Sequence, residues 1–184
     1  MSTPVKRCHW PGEDPLYQKY HDEEWGKPIA DDQTLFEFLL LESAQAGLSW
    51  ITILRRRKNY RKAFASFNAK KVAAFTEADF NRLMADEGII RNKLKIRAAI
   101  GTAQLFLLVQ KEFGSFHAYL YSFMPGGKPI VNHSAKPIVS TPISDAISKD
   151  MKKRGFKFFG TTICYAFMQA IGMVNDHIPG CSFK

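Results

Sequence analysis

From Thr34 to Leu54 the chain reads TLFEFLLLESAQAGLSWITIL, and its apolar positions recur as they do on a helix except at one place. Glu42 falls on the face that carries Phe38 and Leu39 one turn before it and Gln45 and Ala46 one turn after it. Ionised groups are seldom buried without partners. Two readings follow: a carboxylate at the lip of a pocket, or one that reaches solvent at the edge of an apolar face. The periodicity breaks at Gly47-Leu48-Ser49-Trp50, so a glycine hinge, an apolar side chain and an indole sit at the same end of the helix as Glu42 and Gln45.

The remaining elements follow from caps and breakers. Before residue 34 the chain is rich in Trp, Tyr, Pro and turn formers without a clear period, which predicts an irregular arm holding one short helix after Asp14-Pro15, with Tyr17 and His21 on one face. Thr34 with Glu37 has the pattern of a capping box, and Gly47 is the expected stop. Ser49 caps a second helix to about Phe64, whose exposed side is expected to carry Arg55, Arg56, Arg57, Lys58, Arg61 and Lys62. Asn68 and Thr76 cap two short helices, the second ended by Gly88, and a long helix runs from about Lys93 to Phe113, closed by Gly114. Helix, tight turn through Gly88-Ile89-Ile90-Arg91-Asn92, helix is a candidate helix-hairpin-helix; GIIR lacks the second glycine of the commoner pattern, so an ordinary helix connection stands beside it.

Ser115 caps a short helix to Phe123, and Pro125–Pro142, with four prolines and Gly126-Gly127, reads as a long surface loop. Thr141-Pro142 opens a helix to Arg154, which ends at Gly155 with Lys152, Lys153 and Arg154 in its last turn. The last helix, Thr161 to about Met173, is apolar nearly all round and is expected at the centre of the fold. No convincing series of alternating strands appears, so the fold class is all-α: a single unit over 1–184 with its helical body at about 34–173.

Composition narrows the partners. Twenty-six Lys+Arg against 17 Asp+Glu give a formal charge of +9, which favours a polyanion such as nucleic acid or an acidic membrane surface. MSTPVKRCHWPGEDP lacks the apolar core of a signal peptide and no stretch has the length of a membrane span, so a cytoplasmic protein without a membrane partner is expected. The three cysteines do not make a disulfide framework: Cys164 lies in an apolar run, whereas Cys8 and Cys181 each have a histidine at a defined distance, His21 and His177. Zinc accepts such ligands, and a pair from each end would tie the termini together. Unpaired core or surface residues are the alternative, since no C-x-x-C pair is present. His9, His117 and His133 have no such partners.

With ESAQAGLSWITIL, DEGIIRNKLKI, KKRGFKFFGTTICYAFMQAIGMVNDH and the terminal Cys/His pairs in view together, the chain resembles the bacterial 3-methyladenine DNA glycosylase I family from about Arg7 to Cys181. The resemblance implies a helix-hairpin-helix glycosylase fold, a structural zinc on Cys8, His21, His177 and Cys181, and a base pocket with Tyr20, Trp50 and a catalytic Glu42. The implied reaction is hydrolytic release of 3-methyladenine from alkylated double-stranded DNA, leaving an abasic site. A base methylated at N3 is cationic, so Trp50 and Tyr20 would attract it through their faces and Glu42 through its charge. Its glycosidic bond is weak, so binding and electrostatics suffice without a strong acid. The family lacks the aspartate that many relatives carry after the hairpin, and NKLKIRAAIGTAQ here contains no acid.

By position, the amides around Gly88–Arg91 with Arg91 and Lys93 are candidates to meet a phosphate. Leu48, on the Gly47 loop, is a candidate wedge for the gap left by the extruded nucleotide, or else a core leucine. The Arg55–Arg57 run reads as a solvated face. Two other functions compete: a zinc-stabilised DNA-binding module without catalysis, and a bifunctional, strand-nicking glycosylase, which needs a pocket lysine. A monomer with no obligate protein partner is the default.

Overall fold

A computed structural model describes residues 5–184; residues 1–4, which begin the stretch read above as lacking a signal segment, lie outside the described residues. The described chain is mostly helical: α1 Pro15–Glu23, α2 Asp32–Gln45, α3 Trp50–Ala63, α4 Ala69–Ala73, α5 Glu77–Ala85, α6 Lys93–Phe113, α7 Phe116–Tyr121, α8 Pro142–Arg154 and α9 Thr161–Ala170. No helix among the described residues is long and apolar enough to cross a membrane. Local chemistry sets most of the ends. Asp14 caps α1 by accepting from the Leu16 and Tyr17 amides, Asn68 caps α4 through the Lys71 amide, and Asn92 caps α6 through the Lys95 amide. Gly155, in the left-handed region at φ 103°, ends α8 where the sequence places the stop.

Four expectations need correction. The helix of Glu42 is capped by Asp31, not by a Thr34–Glu37 box: the Asp31 carboxylate accepts from both the amide and the hydroxyl of Thr34, at 2.8 and 2.6 Å. Glu37 is buried, held by Arg57 at 2.5 Å and Arg61 at 2.8 Å. Arg57 is therefore no part of a solvated face; its side chain is 11% exposed, also pairs with Glu24 at 2.6 Å and lies over the Phe38 ring. The last helix stops at Ala170, because Gly172 turns the chain at φ 70° beside the backbone of Lys27, where any Cβ would collide. Released from the helix, Val174–Asn175 (β2) pairs in parallel with Ile130–Val131 (β1), a two-residue ladder that the sequence did not announce.

The centre of the fold is α2 rather than α9 alone. Leu35 through Glu42 are buried without interruption, and α2 packs against α3, α6, α7 and α9. Lys95, in the first turn of α6, donates to the carbonyls of Ala44 and Ala46 at 2.8 and 2.6 Å. That cation at the carbonyl end of α2 fixes the exit of the helix and so the start of the Gly47 loop. The start of α6 is thereby tied to the helix that carries Glu42.

Candidate functional site

Helix α1 supplies two neighbouring side chains to two different places. His21 points into a cluster with Cys8, His177 and Cys181, all buried, whose donor atoms lie within 4.8 Å of one another. His177 Nδ1 lies 3.2 Å from His21 Nε2, 3.7 Å from Cys8 Sγ and 3.3 Å from Cys181 Sγ, and Cys181 Sγ lies 3.7 Å from His21 Nε2. Tetrahedral ligation by two sulfurs and two nitrogens at ordinary metal distances sets such donors about 3.3–3.8 Å apart, so the four side chains could hold one metal ion.

The opposite faces of these ligands are occupied. His21 Nδ1 meets Asp22 at 2.7 Å, Asp22 is gripped by Arg7 at 2.7 Å, and His177 Nε2 donates to the Trp25 carbonyl at 3.1 Å. Those contacts leave Nε2 of His21 and Nδ1 of His177 to face the sulfurs, the outer-sphere arrangement that fixes ring orientation at metal sites. The Ile178 amide donates to Cys8 Sγ at 3.4 Å.

Tyr20, one residue before His21, turns instead into a cavity of about 180 Å³ between α1, α2, the start of α3 and α9. Glu42 and Gln45 from α2, Trp50 from α3, and Tyr17 and Tyr20 from α1 line it. A 150 Å³ apolar cavity holds a benzene, so this larger one, open on one side, suits one flat aromatic ring system. The Tyr20 and Trp50 rings lie 5.4 Å apart, and Phe38 stacks behind Trp50 at 6.3 Å. Trp10 closes another side, its ring centroid 4.7 Å from that of Tyr17 and 5.0 Å from that of Trp25, edge to face with both.

The polar groups of this cavity are poorly served. Glu42 is 2% exposed, so it does not reach solvent at the helix edge, and its Oε2 has no hydrogen-bond partner among the described residues. Burial pushes its carboxyl up to about 8. Gln45 Oε1 and Trp50 Nε1 are also buried without partners. Tyr20 is driven well above the usual phenol range by burial first and the Glu42 charge second, so its hydroxyl stays neutral. Among the described residues no lysine lines the cavity.

The structure thus brings Tyr20, Glu42 and Trp50 into one cavity and the four Cys/His side chains into one cluster. Leu48 is not a core residue: it is 40% exposed, on the loop that Gly47 opens at φ 78°. In the connection between α5 and α6 the Gly88 amide donates to Asp86 at 2.8 Å and the Ile90 amide to the Tyr60 hydroxyl at 3.2 Å, so neither is free. Gly88 is needed because a Cβ there would come within 2.9 Å of Asn59. Arg91 and Lys93 are exposed, Arg91 beside Glu87 at 3.5 Å.

Sequence reasoning missed Trp10 and Gln169 among the lining residues and gave Tyr17 and Trp25 no part in the pocket. A signal existed for Gln169: like Glu42, it is a polar residue in an otherwise apolar helix.

Comparison with known proteins agrees over nearly the full chain. The family described as methyladenine glycosylase matches residues 10–184. The chain is 50% identical over 179 residues to DNA-3-methyladenine glycosylase 1 of Escherichia coli, covering 96% of each chain, and 46% identical over 182 residues to DNA-3-methyladenine glycosylase of Haemophilus influenzae, covering 97% of each. Among solved structures, 3-methyladenine DNA glycosylase I from Staphylococcus aureus, solved to explain 3-methyladenine recognition, superposes with a TM-score of 0.93 at 36% identity over 99% of this chain and 98% of that one.

Proposed function

The chain belongs to the methyladenine glycosylase family, and on that premise we propose that its aromatic cavity takes up 3-methyladenine extruded from alkylated duplex DNA while water completes hydrolysis at the sugar, leaving an abasic site. The observation that carries this reading is the buried, unpartnered Glu42 carboxyl among Tyr20, Trp50 and Trp10. An empty site holds that group largely neutral, because no cation offsets its burial. A flat cationic base supplies the missing charge, draws Glu42 into its ionised form and gains a charge-assisted hydrogen bond that a neutral base cannot match. Stacking on the rings adds about 0.5–2 kcal/mol per favourable cation–π contact. As the glycosidic bond breaks, its electron pair neutralises the base and the positive charge passes to the sugar, so no strong acid is needed. The ionised Glu42 drawn out by the bound cation is the negative charge that favours this shift.

The remaining parts take supporting roles. Zinc suits the cluster, since two thiolates and two imidazoles at tetrahedral spacing are its structural ligand set; bound there, it would clasp the N-terminal arm to the C-terminal tail. Residues Asp86–Asn92 between α5 and α6 act as the hairpin, with phosphate contact falling to the Arg91 amide and to the Arg91 and Lys93 side chains, since the Gly88 and Ile90 amides are spent. Exposed Leu48, beside the cavity residues Gln45 and Trp50, fills the gap left in the stack. The test is single-turnover base release from DNA methylated at adenine N3. Wild type should free 3-methyladenine, and Glu42→Gln should slow release by about 100-fold. No release by a folded, metal-loaded wild type would leave the non-catalytic DNA-binding module as the better account.

A further inference from the structure

One cavity residue has its chemistry fixed from behind. Gln169 Nε2 donates to Asp176 Oδ2 at 2.7 Å, and the same oxygen accepts from the Tyr165 hydroxyl at 2.7 Å. A carboxylate only accepts, so the amide of Gln169 is locked with its nitrogen toward Asp176. Its oxygen, Oε1, is the amide atom left without a hydrogen-bond partner among the described residues. Turning the amide over would set Oε1 against the Asp176 carboxylate. Asp176 Oδ1, buried and unpartnered, makes that reversal worse, because the carboxylate already lacks donors. The cavity is thus lined by Gln169, whose Oε1 is the one acceptor held in place by a contact, together with the unpartnered Glu42 Oε2, Gln45 Oε1 and Trp50 Nε1 and the hydroxyls of Tyr17 and Tyr20.

We propose that Gln169, oriented by Asp176, selects an adenine ring over a guanine ring by accepting a hydrogen of the exocyclic amine. This rests on the reading of the cavity as the base site. Adenine carries an amine, a donor of two hydrogens, where guanine carries a carbonyl oxygen. A guanine methylated at the same ring nitrogen has the same fused rings and the same charge and differs in its carbonyl oxygen and one added amine, so stacking and the charge of Glu42 do not tell the two apart. Facing a locked acceptor, its oxygen finds no donor, and a site built around one hydrogen bond rejects the analogue that cannot make it. Asp176 is a positioning residue: it touches Gln169, not the base, and it precedes the cluster residue His177 in the chain.

The test is equilibrium binding of free 3-methyladenine and 3-methylguanine to the whole protein, followed by tryptophan fluorescence, with base release from methylated DNA assayed alongside. Wild type should prefer the adenine. Gln169→Met, which keeps the volume and leaves Asp176 in place, should narrow the preference by about tenfold. Asp176→Leu should narrow it as well, with no further loss when added to Gln169→Met, since it acts through that residue. An unchanged preference in Gln169→Met overturns the proposal. Should Asp176→Leu lose its metal or fail to fold, Gln169→Met alone decides. A wild type that discriminates the free bases but releases none upholds the proposal and sinks the glycosylase reading; one that binds neither base sinks both.

Discussion

Tyr20 and His21 are neighbours on one helix, yet they serve two buried polar regions built on opposite plans. Around His21 the groups satisfy one another: Asp22 and the Trp25 carbonyl occupy the outer faces of the two imidazoles, the Ile178 amide meets Cys8, and four donor atoms converge on one point. Around Tyr20 they do not: Glu42, Gln45 and Trp50 each keep a buried polar atom without a partner. Unmet hydrogen-bonding capacity costs stability, and a fold keeps such atoms where something outside the chain meets them. On the proposed reading, a metal held by the first region would serve structure, and a base taken up by the second would serve function.

Breaking the satisfied region should have the largest effect. Cys181→Ser, or removal of the metal by a chelator, is expected to lower stability by about 4 kcal/mol or more, the range in which loss of a metal falls. Metal content and thermal unfolding check this; full occupancy with unchanged unfolding in Cys181→Ser would count against the clasp.

The unsatisfied region should respond in the reverse sense. The folded-state carboxyl of Glu42 titrates at about 8, above its ordinary value of 4.5. Below pH 4.5 it is protonated folded and unfolded alike; as pH rises toward 8 only the unfolded chain ionises, so stability is progressively lost across that window. Glu42→Gln removes the loss, and the variant should be more stable than wild type at pH 8 by on the order of a few kcal/mol, while both unfold alike near pH 4. Denaturant melts at the two pH values decide, and a variant less stable at pH 8 would contradict the buried, unpaired carboxyl. The same titration predicts that a cationic base of fixed charge binds with release of a proton, its affinity rising by up to about tenfold per pH unit until Glu42 is ionised near 8.

The smallest change in stability belongs to the rim between the two. Leu48→Ala, at an exposed loop position, should alter stability by no more than about 0.5 kcal/mol. It should nonetheless slow base release from duplex DNA by roughly tenfold while free-base binding stays the same, as expected of a side chain that acts on the stack rather than on the base. Equal loss in both assays would move Leu48 from the DNA to the pocket wall.

What the sequence determined by itself is what short-range chemistry controls. Asn92 and Gly114 bound α6 at Lys93 and Phe113, Thr141-Pro142 starts α8, and a glutamate inside an oily helix stands out as a carboxylate either at a pocket or at a solvent edge. Tertiary structure decided the rest, because those interactions join residues far apart in the chain. Glu37 leaves its local capping role for Arg57 and Arg61, 20 and 24 residues away. β2 is strand only because β1 lies beside it, and Gly172 turns the chain only because the Lys27 backbone passes there. Trp10 and Gln169 lie near opposite ends of the sequence, and nothing in the spacing of either shows that they face one cavity; the fold that brings α9 against α2 does.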